Sequence, residues 1–341
     1  MRHISLILLV FAGGLGCNDH AEGSAVIGDP ALNPPPPKQA APAQGASCMG
    51  LPTTCGGADN CCNSPLVTGG TFDRGYDLAG DQQSGAASFP ATVSDFRLDK
   101  YEVTVGRFRK FVEAGMGTRA MPPADGSGQH ANFSASGWSA AWNVNLTADK
   151  TALIAALQCD AATYNTWTDT PGANDNRPIN CVTWFEAMAF CIWDGGYLPT
   201  EAEWKYAAAG GNQQRAYPWS VPAGNLALDA AHAVFDDGSN CGLAAQPACP
   251  GVVDVGTKPL GDGRFGQSDL AGNAWEPTLD AYVYQYPMPC KDCANLKAED
   301  FHVSGGGSAR DLAIHLRTTR RTLFGPRERA RNAGIRCARA P

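Results

Sequence analysis

Asp269-Leu270-Ala271-Gly272-Asn273-Ala274-Trp275-Glu276 is the most informative stretch of this 341-residue chain. Four shorter motifs accompany it: Asn180-Cys181-Val182-Thr183-Trp184, Leu198-Pro199-Thr200-Glu201-Ala202-Glu203-Trp204, Tyr217-Pro218-Trp219 and Gly306-Gly307-Ser308. Each motif alone is weakly specific. Five of them together are a strong signal.

These motifs resemble those of the formylglycine-generating enzyme family, also called sulfatase-modifying factors, over residues 66–341. The resemblance implies a loop-rich fold related to C-type lectins. Short apolar segments separated by long loops, with no evident internal repeat, independently favour an α+β domain. Members of this family use copper and molecular oxygen to convert a cysteine in an unfolded sulfatase segment into formylglycine.

The chain departs from this family at the residues that carry the chemistry. The family places two cysteines five residues apart after its Gly-Gly-Ser motif, and the matching positions here are Asp311 and Leu316. Copper(I) prefers thiolate ligands, whereas aspartate is a hard oxygen donor and leucine donates nothing. Ser308, Asn332 and Trp275 match the family's pocket and are retained. We therefore expect no copper site, and a domain that binds a peptide, a glycan or a protein partner.

A different metal is the alternative. Asp311 lies near His302 and His315 in the sequence, and two histidines with one carboxylate can bind non-haem iron. The alternative function is an oxidoreductase of the same family that acts on a protein or a small molecule through such a site.

The resemblance also implies a calcium site in the longest motif. Its ligands would be the Asp269 side chain, the backbone carbonyls of Gly272 and Ala274, and the Glu276 side chain, all hard oxygen donors of the kind that calcium needs. The alternative is a loop in which the two carboxylates accept hydrogen bonds from the protein.

One disulfide follows from the resemblance, which pairs Cys191 with Cys337. The family's second internal disulfide matches Ala208 and Arg321, so both of its cysteines are absent here.

The chain holds 13 cysteines. Four of them form a cluster in residues 48–65, where a zinc knuckle is the alternative to disulfides. Cys61 and Cys62 are adjacent, and because a bond between neighbours is strained, we expect each to pair elsewhere. The Cys290-Lys291-Asp292-Cys293 unit resembles a redox motif but is interpreted as a structural bridge.

The N-terminus resembles a bacterial export signal. An apolar run from Ile4 to Leu15 follows Arg2 and His3, and is too short for a stable membrane anchor. Gly16-Cys17 resembles a lipobox, so residues 1–17 are predicted as a signal peptide and Cys17 as the lipidated residue, with plain secretion as the alternative. Residues 18–47 are rich in proline and alanine and predict a disordered spacer. These features indicate an envelope lipoprotein held at a membrane surface by its lipid.

The charge of the chain argues against one class of main partner. The net charge of −7 argues against nucleic acid, because binding phosphate requires a basic face. Nine arginines nevertheless lie in the last 32 residues, and they are either structural partners of carbonyls and buried carboxylates or a pocket for an anion. These residues are Arg310, Arg317, Arg320, Arg321, Arg327, Arg329, Arg331, Arg336 and Arg339.

Local signals predict several element boundaries. Thr104 is expected to cap a helix, Thr200 and Glu203 form a capping box, and Gly195-Gly196 ends the helix before it. Residues 96–104 largely alternate apolar and polar side chains, which predicts a half-buried strand. Residues 120–176 are predicted as an irregular insert that three tryptophans attach to the core: Trp138, Trp142 and Trp167.

Overall fold

The computed structural model describes residues 45–51, 55–57, 59–80, 89–160, 164–238, 251–297 and 301–341. The predicted signal peptide, Cys17 and nearly all of the predicted spacer lie outside these residues, so the N-terminal boundaries stay predictions. No helix in the described part of the chain combines the length and the apolar character that crossing a membrane would require.

Four α-helices lie in the described ranges: α1 (Val105–Glu113), α2 (Lys150–Ala156), α3 (Trp184–Trp193) and α4 (Glu201–Ala208). Thr104 caps α1 as predicted, since its side chain accepts a hydrogen bond from the Arg107 backbone N–H. The capping box of Thr200 and Glu203 is also present at the start of α4. Gly195 follows α3 with a φ of +80°, a conformation that glycine adopts without strain.

Nine short strands form three small sheets in the described part of the chain. They are β1 (Leu66–Val67), β2 (Gly70–Asp73), β3 (Pro90–Val93), β4 (Phe96–Leu98), β5 (Glu276–Ala281), β6 (Cys290–Lys291), β7 (His302–Gly305), β8 (Thr322–Phe324) and β9 (Ala338–Arg339). The sheet orders are β1-β4-β9, β2-β3-β6 and β5-β7-β8. In the last sheet, β7 pairs antiparallel with both neighbours. The α+β class and the loop-rich character predicted from the sequence are confirmed.

The largest core cluster lies where α1, α3 and the insert meet. Phe108 and Phe111 of α1 pack against Phe190 of α3, with ring centroids 5.5 Å apart in both pairs. Trp138 and Trp167 from the insert are buried in the same cluster, and Trp142 packs against it. The tryptophans therefore attach the insert to the core as expected, although the insert also contains the unpredicted helix α2.

The cysteine-rich segment is packed against the main domain. Cys48 is bonded to Cys62 and Cys55 to Cys61, so the two adjacent cysteines pair elsewhere as predicted. The Ser47 backbone N–H donates to Asp194 Oδ1 over 2.7 Å, at the C-terminal end of α3.

Three further disulfides connect the domain. The Cys191–Cys337 bond implied by the resemblance is present, as is the Cys290–Cys293 bridge. A third bond joins Cys159 to Cys181. At the positions of the family's other disulfide, Ala208 is buried and Arg321 instead forms an ion pair of 2.9 Å with Glu201.

The C-terminal arginines are mostly structural. Six of the nine pair with carboxylates of the domain: Arg317, Arg321, Arg329, Arg331, Arg336 and Arg339. Arg327 differs, because the side chain it bonds is an amide: its Nε donates to Asn145 Oδ1 over 2.8 Å. The structural interpretation therefore holds for most of this segment.

Candidate functional site

The Gly-Gly-Ser motif forms a tight turn after β7 that side chains larger than hydrogen would disrupt. Gly306 and Gly307 have φ values of +96° and +73°, in the left-handed region. A Cβ on Gly307 would lie 2.8 Å from a methyl carbon of Leu316 and 3.1 Å from the His315 carbonyl oxygen. This close approach places Ser308 and the following short 3-10 helix (Ala313–Leu316) side by side.

The Asp311 carboxylate is held by three donors. Its Oδ2 accepts hydrogen bonds from the Ser308 backbone N–H over 3.0 Å, from the Ser308 hydroxyl, and from Trp275 Nε1 over 2.8 Å. Asp311 Oδ2 therefore lies between Ser308 and Trp275, two of the predicted pocket residues. The Trp275 backbone N–H in turn donates to the Asn332 carbonyl over 2.9 Å, so the structure brings all three predicted pocket residues together.

Leu316 lies inside an apolar cluster. Its side chain is fully buried and packs with Tyr217, Ala233 and Ala271. The position that the resemblance assigns to the family's second cysteine is thus part of the packing that holds the loop in place.

The cavity that the described residues form beside Asn332 is small. The cavity lined by Asn332, Asn273 and Ala309 has a volume of about 10 Å³. Tyr164 lines it too, and the guanidinium groups of Arg310 and Arg331 lie over the tyrosine ring at 5.3 and 4.4 Å from its centroid. Nothing in the sequence singled out Tyr164, because it belongs to the insert and approaches the motif only in three dimensions.

Both carboxylates of the predicted calcium set have protein partners. The two Glu276 oxygens accept from Arg336, over 2.7 Å at Oε1 and 2.8 Å at Oε2, and Oε2 also accepts from Trp204 Nε1 over 2.6 Å. Asp269 Oδ2 accepts from the Gly256 backbone N–H over 2.6 Å. These contacts correspond to the alternative interpretation, so the set Asp269, Gly272, Ala274 and Glu276 is not supported as a calcium site.

A third carboxylate, Glu102, is buried beside this motif and was missed from the sequence. It accepts hydrogen bonds from Asn273 Nδ2 over 2.7 Å and from the Ala274 backbone N–H over 3.0 Å. Burial, together with the charges of Asp269 and Glu276, raises its pKa well above the usual value. The available signal was its position in the alternating segment, where Glu102 falls on the same face as the apolar Phe96 and Leu98.

Asp269 is affected in the same way. Burial raises its pKa from 3.8 to about 6, against the opposing effects of the Gly256 hydrogen bond and the Arg336 charge. Three buried carboxylates therefore share one buried guanidinium, that of Arg336, and the cluster formed by Glu102, Asp269, Glu276 and Arg336 carries excess negative charge when fully ionised.

The structure does not support the alternative iron site. His302 stacks on Trp184 with ring centroids 3.9 Å apart, whereas Asp311 bonds Ser308 and Trp275, and His315 is exposed. Across the described ranges, no group of three or more His, Cys, Asp or Glu side chains could hold a metal ion. Closeness in sequence did not translate into convergence, because β7 and the 3-10 helix direct these side chains to different places.

A groove of about 530 Å³ lies elsewhere and is lined by His130 and Tyr197. Glu203 Oε1 bonds His130 Nε2 at 3.1 Å and accepts from the Tyr197 hydroxyl at 2.9 Å. The Asn132 backbone N–H donates to His130 Nδ1 over 3.1 Å. Both ring nitrogens of the histidine thus have protein partners, and these contacts fix the wall of the groove.

Comparisons with known proteins agree with this architecture. The mouse formylglycine-generating enzyme is 28% identical over 298 residues, which cover 80% of this chain and 73% of that protein. The bovine protein named inactive C-alpha-formylglycine-generating enzyme 2 is 28% identical over 291 residues, 81% of this chain and 87% of its own. Hercynine oxygenase of Mycolicibacterium thermoresistibile is 30% identical over 291 residues, 81% of this chain but 58% of that protein.

Among solved structures, PvdO from Pseudomonas aeruginosa has a similar fold, with a TM-score of 0.57 at 18% identity over 89% of this chain and 100% of that one. Treponema denticola variable protein 1 has a TM-score of 0.51 at 18% identity, covering 82% and 95% of the two chains. The model of the sulfatase-modifying factor enzyme 1-like domain matches residues 57–341. With this match over most of its length, the chain belongs to the formylglycine-generating enzyme (sulfatase-modifying factor) family.

Proposed function

We propose that this chain is an exported recognition protein that keeps the family's scaffold without the copper oxidase chemistry. The observation that carries the proposal is the state of the two positions matched to the family's cysteines. The Asp311 carboxylate accepts three hydrogen bonds from Ser308 and Trp275, and Leu316 is buried among apolar side chains. Neither of these two positions supplies the thiolate that a soft monovalent metal prefers.

The size of the adjacent cavity supports the same proposal. A volume of about 10 Å³ is at the limit of what one water molecule needs. A substrate cysteine, with its neighbouring residues, requires an open cleft at this point. Tyr164 lines the cavity instead, with the guanidinium groups of Arg310 and Arg331 against its ring.

The proposed location is outside the cytoplasm. Disulfides persist in oxidising compartments, and the described residues contain five of them. The proposed attachment is a lipid on Cys17, which lies outside the described residues. Labelling with a fatty-acid analogue tests it: the label should enter the wild-type protein and be absent from Cys17→Ser.

Anaerobic copper(I) titration, combined with an oxidation assay on a Cys-X-Pro-X-Arg peptide, tests the loss of oxidase chemistry. The protein should be purified from an oxidising compartment and its free thiols counted before and after titration, so that reduced disulfides are not mistaken for a site. The mouse formylglycine-generating enzyme serves as the positive control. We expect neither stoichiometric copper binding nor peptide conversion, and observing both would refute the proposal.

A further inference from the structure

A second cavity, of about 240 Å³, lies between the start of α3 and the sheet of β5 and β7. It shares no lining residue with the small cavity at Asn332. We define it here as the aromatic cavity, because Trp142, Trp184 and Phe185 line it. Its volume equals roughly eight water molecules at about 30 Å³ each, which suits a single ring with a short substituent.

The aromatic side chains brace one another. Trp142 packs edge-on to Trp184 with ring centroids 5.5 Å apart and lies 6.1 Å from Phe185. The Trp184 indole N–H donates to the Thr278 carbonyl over 2.8 Å, which fixes the ring. His302 stacks on the same indole with an interplanar angle of 13°. A wall held in this way is preorganised, so a flat ligand binds without the ordering of side chains that opposes association.

His302 is a neutral polar group in this wall. Burial lowers its pKa to about 4, although backbone carbonyls of Leu279 and Asp280 oppose the shift. Its Nδ1 is buried and makes no hydrogen bond in the described structure. A buried polar atom without a partner is destabilising, and a bound molecule with a complementary group relieves that penalty.

Two cationic side chains lie on the solvent-exposed side of the cavity, which we call its mouth. Lys297 and Arg327 line it and are exposed. In the described part of the chain, Arg327 bonds through Nε to Asn145, which leaves its two terminal nitrogens to meet a ligand. No aspartate or glutamate occurs among the described residues that line the cavity. Glu299 and Asp300 follow in the sequence and lie outside the described residues.

We propose that the aromatic cavity binds a small organic acid with a flat aromatic body. The body lies against Trp142 and Phe185, and the carboxylate meets the Arg327 guanidinium and the Lys297 ammonium group at the mouth. The inference builds on the proposed recognition role by naming a site and a ligand class. It also gives a role to the Arg327 guanidinium, which bonds an amide, whereas six other arginines of the C-terminal segment pair with carboxylates.

Isothermal titration with a matched pair of probes tests this. The pair is 4-hydroxyphenylacetate and its neutral amide, titrated into the intact protein with its disulfides formed. We expect the acid to bind at one site at least tenfold more tightly than the amide. Arg327→Gln should weaken binding of the acid about tenfold and leave the amide unchanged. Trp142→Ala should weaken both, and Arg119→Gln, at an exposed arginine that does not line the cavity, should change neither.

Three outcomes would overturn the proposal: no saturable binding of the acid, equal affinity for acid and amide, or an unchanged affinity for the acid in Arg327→Gln. Tighter binding of a neutral sugar, with N-acetylglucosamine as the probe, would assign the cavity to a glycan and also contradict it. Melting curves of each variant verify folding, and Arg327 and Arg119 are both exposed, so their replacement leaves the core intact. Copper binding with peptide oxidation would refute the proposed function while leaving this ligand test independent.

Discussion

Replacing Asp269 by asparagine removes one of three carboxylates buried around Arg336. The backbone there is left-handed, with a φ of +59°, which asparagine tolerates well. The amide oxygen of asparagine can still accept from the Gly256 N–H, as Asp269 Oδ2 does over 2.6 Å. The change therefore removes a charge while keeping the shape and the hydrogen bond.

The expected gain follows from the pKa of Asp269. Folding raises it from 3.8 to about 6, so the folded state binds more protons than the unfolded state between these values. The contribution of Asp269 to the stability of the wild-type protein should thus be greatest below pH 4 and be lost as the pH rises through 6. At about 1.4 kcal/mol per pKa unit, the full loss is roughly 3 kcal/mol. The weaker hydrogen bond of a neutral acceptor offsets about 1 kcal/mol of this, so Asp269→Asn should be more stable by about 1–2 kcal/mol at pH 7.5.

Urea unfolding at pH 4.5 and pH 7.5, each with EGTA and with millimolar calcium, provides the measurement. The variant should exceed the wild type at pH 7.5 and match it near pH 4.5. Asp254→Asn is the control, because that side chain is 44% exposed and its replacement should have little effect. If calcium stabilises the wild-type protein, and Asp269→Asn abolishes that effect and lowers stability at pH 7.5, the carboxylates bind an ion and the reasoning is wrong.

Three other substitutions test the packing of the site and of the domain. Leu316→Ala should lower the free energy of unfolding by 2–4 kcal/mol, because it opens a cavity in a fully buried cluster. Replacing both Cys191 and Cys337 by alanine should cost about 5 kcal/mol, since the bond closes a loop with a sequence separation of 146. Arg336→Met should cost about 3–5 kcal/mol at pH 7.5 and less at pH 5, because it leaves the buried Glu276 carboxylate without its partner. Urea titration monitored by circular dichroism checks all three.

Matched controls define what would contradict these expectations. Leu323→Ala alters a leucine that is 49% exposed and should cost less than about 1 kcal/mol. Removing the Cys290–Cys293 bridge opens a much shorter loop and should cost about 2 kcal/mol. Arg119→Met affects an exposed arginine and should be neutral. Any of the three test variants that behaves like its control contradicts the role assigned to that residue.

Local features of the fold could be predicted from the sequence because a few neighbouring residues determine them. Thr104, and Thr200 with Glu203, cap their helices in the predicted way, since capping depends on residues only three positions apart. The strand predicted over residues 96–104 is confined to Phe96–Leu98. Beyond it, Lys100 and Glu102 engage partners distant in the sequence, and these contacts replace the sheet pattern.

The site itself was harder to predict, because its residues converge from distant parts of the chain. The motif and the positions of Asp311 and Leu316 could be identified, since they lie within one short segment. The position of Tyr164 in the lining of the small cavity could not be predicted. The ion pair between Glu276 and Arg336, which lies 60 residues further along the chain, could not be predicted either. Carboxylates in a loop look alike in sequence whether a cation or a guanidinium faces them, and only the three-dimensional arrangement separates the two cases.

The contacts of the Asp194 carboxylate affect how the domain responds to a pull on its N-terminal end. Its Oδ1 accepts from Ser47 near the first described residue, and its Oδ2 bonds Arg339, close to the last one, over 2.6 Å. Arg107 pairs with the same Oδ2 over 2.6 Å. One carboxylate therefore contacts both the beginning and the end of the described fold. A pull on the chain ahead of Ser47 would therefore reach the Ser47–Asp194 hydrogen bond, and the two arginines that hold the same carboxylate, before it reached the core of the domain.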